Sequence, residues 1–398
     1  MTTQRFTVIK GGLDLPPDID RRTFIDAFAT DTRLMGVLGV CIHWELEKNE
    51  IPEDFYQYFY LDAEEYALEN YVSVRGNNPE ELHKVERTLI GGLGGTKVSL
   101  TERECKILLQ HFAEMNKRLK LPLPDKYDEY SFLLEEDAET LPQEMTNIMQ
   151  KICTPITNDY QLVHYFLMRV FGKDPYAAKY LASPKVDLSI YDDVPAATLC
   201  KNVVDIDHSA FMDTYITESL VELNNSYGIA ISKVELDGRK RVIGFERINF
   251  FKVSAAEAAM QLARPEFMTI YTLLFDPTEF EIRCGSLIDR AILTQHASGN
   301  LYMVFNENND HVKNKVYKLN EDVNGFMYIT ASGQLLTVAY SLDGIHKMER
   351  EIRRSPIAGG AFPIAKYEFK EPVLFDFIQS EFDDFNEFLD CIKADEDE

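Results

Sequence analysis

The chain has few of the residues that usually build disulfide, metal or redox sites. It contains six cysteines, and the closest two, Cys153 and Cys200, lie 47 positions apart. No C-x-x-C pair occurs, so neither a zinc or redox motif nor a disulfide framework is predicted. Scattered thiols are typical of a reducing compartment, which favours a cytoplasmic location. We predict no metal site and no cofactor.

Long hydrophobic runs and basic residues are also scarce. The longest apolar run covers about eight residues, 35–42, whereas a membrane-spanning helix needs about 20. The first residues lack the charged and then apolar layout of a signal peptide. Lysine and arginine number 41 against 66 acids, a formal net charge of −25. We therefore expect no membrane partner, and no nucleic acid bound by the molecule as a whole.

The abundant hydrophobic and aromatic residues predict packed cores, and the length of the chain predicts two or three domains. Hydrophobic residues make up 45% and aromatic residues 12% of the 398 positions. The negative charge is concentrated in two segments, since 121–144 has eight acids against one lysine and 373–398 has ten against one. The region between them is closer to neutral, so the net charge does not exclude a local site for an anion there.

The predicted fold class is α+β. We expect a mixed domain at 1–120, an acidic linker with a helical segment at 121–199, and a β-rich domain at 200–398 that closes with an amphipathic helix. Thr101 and Glu104 form a capping-box pattern that predicts a helix reaching Leu119. Asp62 and Glu65 repeat the pattern and predict another helix.

Two further patterns concern the middle and the β-rich region. The spacing of apolar residues predicts one helical stretch at 143–171, with Gly172 at its end. Asp237-Gly238 between two apolar runs predicts a β-hairpin with a two-residue type I′ turn. A strand is also predicted at 312–319.

The sharpest enzymatic candidate is an Asp-x-Asp-x-Ser pattern. Val203-Val204-Asp205-Ile206-Asp207-His208-Ser209 resembles the first motif of the haloacid-dehalogenase-type phosphotransferases over seven residues, although His208 replaces the usual glycine. The resemblance implies that Asp205 attacks phosphorus, that Asp207 acts as acid and base, and that a metal neutralises the phosphate. The alternative is that one of the two aspartates caps a helix running through Phe211, Tyr215, Leu220 and Leu223.

Two basic clusters stand out in the acidic chain as candidate anion or ligand sites. The first is Arg239-Lys240-Arg241, directly after the predicted turn, and the second is Lys347, Arg350 and Arg354. On a helix, the second set shares one face at positions i, i+3 and i+7. Either cluster is suited to a phosphate-bearing ligand, RNA or an acidic surface. The alternative is solvated charge with local salt bridges.

The C-terminal segment carries an aromatic stripe between acidic residues. On a helix, Phe382, Phe385, Phe388 and Leu389 share one face, which predicts a surface for binding a partner protein. The alternative is that the stripe docks on the chain's own core. His43 and Glu45 share a strand face but are too few for a metal site, so we interpret His43 as a structural residue.

Taken together, the sequence favours a non-catalytic intracellular binding or regulatory protein that acts through protein–protein contacts, with a local anionic-ligand surface. The first alternative is a metal-dependent phosphohydrolase or phosphotransferase using Asp205 and Asp207. The second is RNA or nucleoprotein binding through the basic clusters at 239–241 and 347–354. The enzyme question stays open, because no coherent catalytic set was found.

Overall fold

The structure of the protein is a computed structural model. It describes residues 22–48, 51–135, 141–208, 210, 212–224, 226–263, 265–284, 288, 291–305 and 323–396. These residues form 11 α-helices and 15 strands in three antiparallel sheets, which confirms the α+β class. The predicted strand at 312–319 lies outside the described residues. No helix in the described ranges is both long and apolar enough to cross a membrane.

The chain divides into two compact units. Unit 1 comprises Met1–Thr198, Val204–Ile216 and Lys233–Glu246, and unit 2 comprises Leu199–Val203, Thr217–Ser232 and Arg247–Glu398. The domain boundaries expected at 120 and 199 stay predictions.

A five-stranded sheet with the order β4-β3-β2-β1-β5 forms the centre of unit 1. Its strands are β1 Arg22–Thr30, β2 Val37–Lys48, β3 Ile51–Asp62, β4 Ala67–Arg75 and β5 Lys97–Ser99. β2 and β3 pair along their whole length, from Val37 opposite Asp62 to Lys48 opposite Ile51. Their apolar side chains pack a buried core that includes Trp44, which is 2% exposed.

The prediction of a helix after Asp62 is wrong. Asp62 Oδ1 accepts hydrogen bonds from the backbone N–H groups of Glu64, at 2.7 Å, and Glu65, at 3.1 Å, but it closes a turn instead of starting a helix. Ala67 then takes a left-handed φ of 59° and the chain returns as β4, paired with β3. The pairing of eight residues between β3 and β4 therefore outweighed a local capping signal that also fits a turn.

Six helices accompany this sheet in unit 1. They are α1 Pro79–Leu89, α2 Glu102–Leu119, α3 Tyr127–Leu134, α4 Pro142–Ile152, α5 Asp159–Phe171 and α6 Pro175–Leu181. The Thr101–Glu104 capping box at the start of α2 is confirmed, as is Gly172 at the end of α5. The single stretch predicted at 143–171 is in fact two helices, because residues 153–158 interrupt it.

The second sheet has four strands in the order β6-β7-β8-β9. They are β6 Ala197–Ile206, β7 Thr214–Leu223, β8 Ser226–Leu236 and β9 Val242–Val253. The predicted β8–β9 hairpin is confirmed, but the prediction of a two-residue type I′ turn is wrong. Residues 237–241 form a five-residue loop in which Lys240, with φ 56°, takes the left-handed conformation. The Asp237 carboxylate explains this choice, since Oδ1 accepts from the N–H groups of Arg239 and Arg241 at 2.9 and 3.0 Å.

Unit 2 contains a six-stranded sheet with the order β11-β12-β13-β14-β10-β15. The strands are β10 Glu266–Leu273, β11 Ile292–His296, β12 Gly299–Phe305, β13 Val323–Thr330, β14 Gln334–Ala339 and β15 Ala361–Phe369. The helices of this unit are α7 Ala255–Leu262, α8 Phe280–Cys284, α9 Leu342–Arg354, α10 Leu374–Gln379 and α11 Phe385–Glu396. Alternate residues of β10 join two separate cores, with Ile270 packing among α7, α10 and α11 and Tyr271 packing among α8 and α9.

A buried ion network lies at the centre of unit 1. Arg33 Nη1 donates to Asp174 Oδ2 at 2.5 Å, and Arg169 Nη2 donates to Glu64 Oε1 at 2.5 Å. Arg169 Nη1 also lies 3.8 Å from Asp174 Oδ2. Burial by itself raises the pKa of Asp174, but Arg33 and Arg169 outweigh it and hold that pKa below its usual range.

Gly36 makes room for this network. A Cβ atom at that position would lie 3.0 Å from both terminal nitrogens of Arg169, and the φ of 94° is one that side-chain-bearing residues rarely adopt. The Asp174 carboxylate has a second role, because Oδ1 accepts from the N–H of Ala177, at 3.3 Å, and caps α6. The network therefore ties α6 to the turn before β2.

We predict that Asp174→Asn lowers the free energy of unfolding of unit 1 by about 3–5 kcal/mol. The change keeps an oxygen for the α6 cap but leaves two buried guanidinium groups with one carboxylate, and removing one partner of a buried ion pair has this size of effect. Fluorescence of Trp44 during urea unfolding measures it, because this is the only tryptophan of the chain and it lies in unit 1.

Asp187→Asn is the matched control. Asp187 also accepts from a backbone N–H, that of Ser189 at 2.9 Å, but it is exposed. We expect the control to change the free energy of unfolding by less than about 0.5 kcal/mol. Equal effects of the two substitutions would contradict a structural role for the buried charge.

A buried carboxyl group marks the core of unit 2. Glu266 is fully buried, and its Oε2 accepts from the N–H groups of Val373 and Leu374 at 2.8 and 3.0 Å. Oε1 has no hydrogen-bond partner among the described residues. Burial raises the pKa of this group to about 7.

This raised pKa predicts that unit 2 loses stability as the pH rises from about 4.5 to 7. In that range the folded state binds more protons than the unfolded state, so each increase in pH favours unfolding. Glu266→Gln removes the titration, and at pH values above 7 we expect it to raise the free energy of unfolding by up to about 3 kcal/mol, at 1.36 kcal/mol per pKa unit. Urea unfolding followed by circular dichroism across this range measures the effect. The exposed Glu368→Gln control is expected to leave the pH profile unchanged, and a profile unchanged by Glu266→Gln would contradict the prediction.

Candidate functional site

A groove in unit 1 brings one of the predicted basic clusters together with residues far away in the sequence. It has a volume of about 770 Å³ and is formed by α4, the segment after it, α6 and the 237–241 loop. Its lining residues are Met145, Thr146, Met149, Gln150, Ile156, Tyr176, Lys179, Tyr180, Leu181, Arg239, Lys240 and Arg241. We refer to this feature as the cationic groove.

The cationic groove has an apolar part. Met149 and Leu181 are 3% exposed, and Met145 and Ile156 are half-buried beside them. This apolar lining comes from two helices. The spacing of Met145 and Met149 puts them on one face of α4, and Leu181 comes from α6. Methionine side chains adapt to irregular apolar surfaces, so this part is suited to an apolar group of variable shape.

The rest of the lining carries positive charge with no carboxylate. Lys179, Arg239, Lys240 and Arg241 are all exposed. Lys240 Nζ donates to the Thr157 carbonyl at 2.5 Å and Arg241 Nη2 to the Ala182 carbonyl at 2.7 Å. Neither Lys179 nor Arg239 forms an ion pair with any residue in the described ranges. Both cations are therefore free to receive an anion.

Backbone contacts fix the 237–241 loop against α6. The N–H of Ser183 donates to the Val242 carbonyl at 2.7 Å, and Ala182 and Val242 form an isolated parallel bridge. Together with the two side-chain bonds of Lys240 and Arg241, these contacts hold the loop beside the end of α6. The side chains of Lys240 and Arg241 are thus oriented before a ligand arrives.

A smaller cavity of about 340 Å³ shares Lys179 with the cationic groove. Its polar lining also includes Arg169, Lys173, Asp174, Ser189 and Asp192. Lys173 Nζ donates to the Tyr191 carbonyl and lies 3.9 Å from Asp192 Oδ1, so the charge here is closer to balanced. The positive charge is concentrated in the larger cavity.

The second basic cluster lies in unit 2 on α9. Arg350 and Arg354 are exposed and Lys347 is half-buried, whereas Ile345, Met348 and Ile352 form the buried face. These residues do form a helix, α9. Its three cations lie on the outer side of the helix and line neither cavity described above.

The Asp-x-Asp pattern lies on an antiparallel hairpin. Asp205 is exposed on β6, and the N–H of Asp207, just after the strand, donates to the Thr214 carbonyl at 2.8 Å. The alternative prediction, a capped helix through Tyr215 and Leu220, is wrong because these residues form β7. Ser209 and Phe211 lie outside the described residues.

The described residues contain no group of three or more His, Cys, Asp or Glu side chains arranged to hold a metal ion. His43, which the sequence suggested as structural, has protein partners: its ring stacks on Tyr56 at 4.1 Å and its Nε2 lies 2.7 Å from Asp54 Oδ1. The use of Asp205 and Asp207 in phosphoryl transfer stays a prediction.

The aromatic stripe near the C-terminus packs into the core of unit 2. Phe385, Phe388 and Leu389 are 0%, 5% and 6% exposed, and Phe382 is half-buried against the same cluster. The Phe385 ring lies 5.1 Å from that of Phe377 on α10. This packing favours the alternative in which the stripe docks on the chain's own core. Partner binding by these residues stays a prediction that requires α11 to leave the core.

We predict that Asp237→Ala loosens the loop of the cationic groove. The change removes the acceptor of two backbone N–H groups, which lowers the free energy of unfolding by about 1–2 kcal/mol. Asp237→Asn keeps an acceptor oxygen and is the control, with an expected loss below about 0.5 kcal/mol. Trp44 fluorescence during urea unfolding measures both. Equal losses would show that the Asp237 oxygen does not hold the loop.

No protein-family model, curated protein or solved structure matches this chain. A function can therefore be argued only from the geometry and charge of the chain itself.

Proposed function

We propose that this protein is a non-catalytic binding protein whose cationic groove captures an anionic partner. The observation that carries the proposal is the contrast between the groove and the whole molecule. Four cations and no carboxylate line one groove in a chain of net charge −25. A surface of this kind attracts an anion locally while the remaining charge repels polyanions in general.

The chemistry of the lining supports binding. Guanidinium and ammonium groups donate charge-assisted hydrogen bonds, each contributing about 1.5–3 kcal/mol. The 12 lining residues include no carboxylate, imidazole or thiol, which are the groups that most often transfer protons or attack substrates. The lining is therefore suited to holding a ligand.

The arrangement of the cations supports a defined binding geometry. Lys240 and Arg241 each use one donor on a backbone carbonyl, which restrains their side chains and leaves further donors free. Lys179 extends from α6 toward the same groove. A ligand with two or more negative groups meets Lys240 and Arg241 without first ordering their side chains, which lowers the entropic penalty of binding.

The experiment is fluorescence anisotropy with a labelled oligoglutamate peptide as the anionic probe. We expect saturable binding that weakens as salt is added, because exposed charges are screened. The double variant Lys179→Glu with Arg239→Glu should weaken binding more than tenfold, since each tenfold step needs only about 1.4 kcal/mol. Both side chains are exposed, so the fold should tolerate the change.

The matched control is Lys117→Glu, which reverses one charge on α2. Its side chain is 79% exposed and does not line the cationic groove. This variant should bind the probe within about twofold of the unchanged protein, because Lys117 does not contact the groove and salt screens exposed charges. Binding that is absent in the unchanged protein, or reduced equally by both variants, would overturn the proposal.

A further inference from the structure

We infer that the occupant of the cationic groove is an acidic segment of another polypeptide that places an apolar side chain against Met145 and Ile156. The inference rests on the proposed function and narrows it, because it names the chemical class of the partner. It joins two properties of one groove: an apolar lining and four cations.

The apolar lining indicates more than a simple anion site. A phosphate or a carboxylate alone would leave the half-buried side chains of Met145 and Ile156 partly exposed to water beside it. An aliphatic or aromatic side chain placed there removes apolar surface from water, at about 25 cal/mol for each Å². Acidic residues on either side of that side chain then reach Lys179 and Arg239.

The position of Lys179 indicates an extended occupant. This lysine lines both the cationic groove and the smaller cavity, so a chain leaving the larger cavity at this end passes it. In the smaller cavity Lys173 and Asp192 present charges of both signs, together with Ser189. Mixed polar partners of this kind suit a polypeptide backbone better than a uniform polyanion.

A polypeptide also fits the lining better than a single-stranded nucleic acid does. Binding of successive bases relies on several exposed aromatic rings. Of the two tyrosines in the groove, Tyr176 is 48% exposed and packs edge-on to His111, whereas Tyr180 is half-buried. One exposed ring offers a single stacking position for a base. RNA also has no aliphatic side chain that could cover the methionine surface of the groove.

The test compares three labelled probes in fluorescence anisotropy. The first is a peptide with three glutamates on each side of a central leucine, the second has serine in place of that leucine, and the third is an oligouridylate with the same number of charges. We expect the leucine peptide to bind about tenfold more tightly than the serine peptide, because a buried leucine contributes on the scale of one such step. The oligouridylate should bind no better than the serine peptide.

Met145→Gln examines the apolar lining directly. Glutamine is nearly the same size and keeps helix propensity, and Met145 is half-buried, so α4 should stay folded. The variant should reduce binding of the leucine peptide to that of the serine peptide and leave the serine peptide unchanged. Met35→Gln, at a residue that is 46% exposed and outside the groove, is the control and should change neither affinity.

The outcomes separate this inference from the proposed function. Equal affinities for both peptides, still dependent on Lys179 and Arg239, would overturn the apolar contact and leave anion capture standing. Tighter binding of the oligouridylate would overturn the polypeptide occupant in favour of RNA. Binding that is insensitive to Lys179→Glu with Arg239→Glu would overturn both proposals.

Discussion

The Arg33–Asp174–Arg169–Glu64 ion network is the constraint on which the candidate site depends. Asp174 both pairs with the two arginines and caps α6, the helix that supplies Tyr176, Lys179, Tyr180 and Leu181 to the cationic groove. Buried ion pairs add little net stability compared with apolar packing, but breaking one is unfavourable. We infer that the network fixes where α6 begins. The shape of the cationic groove then depends on a set of charges that do not line it.

The distribution of charge leaves an acidic protein with a local positive surface. Of the net charge of −25, the segments 121–144 and 373–398 carry the largest share, with 18 acids against two lysines. The cations of the groove come instead from α6 and the 237–241 loop. The acidic segments and the cations of the groove thus lie in different stretches of the sequence, so a negative net charge does not exclude a local positive surface.

Local signals in the sequence predicted structure well where no long-range pairing competed with them. The Thr101–Glu104 capping box marks the start of α2, but the similar Asp62–Glu65 pattern closes a hairpin, because β4 pairs with β3. The Asp237-Gly238 pair likewise indicated a hairpin correctly but not its loop. Capping residues satisfy backbone N–H groups in helices and turns alike, and only the partner strand decides between them.

The candidate site was predictable only in part for the same reason. Three of its cations, Arg239, Lys240 and Arg241, are adjacent in the sequence and were identified as a candidate anion surface. Lys179, Met145 and Met149 lie 60 or more positions earlier, and no pattern in the sequence links them to that cluster. The same holds for Arg33 and Glu64, which are far from Asp174 in the chain. Sites assembled from distant segments become visible only once the fold places them together.

The central claim is that an acidic polypeptide occupies the cationic groove, and carbodiimide cross-linking tests its location most directly. This reagent joins a carboxylate of the bound peptide to a lysine amine in direct contact with it. Mass spectrometry of the leucine-containing glutamate peptide cross-linked to the full chain should find the links at Lys179 and Lys240. Lys179→Arg keeps the charge and should remove the first link without abolishing binding. Links at Lys347 on α9, or spread evenly over exposed lysines such as Lys117, would contradict the account.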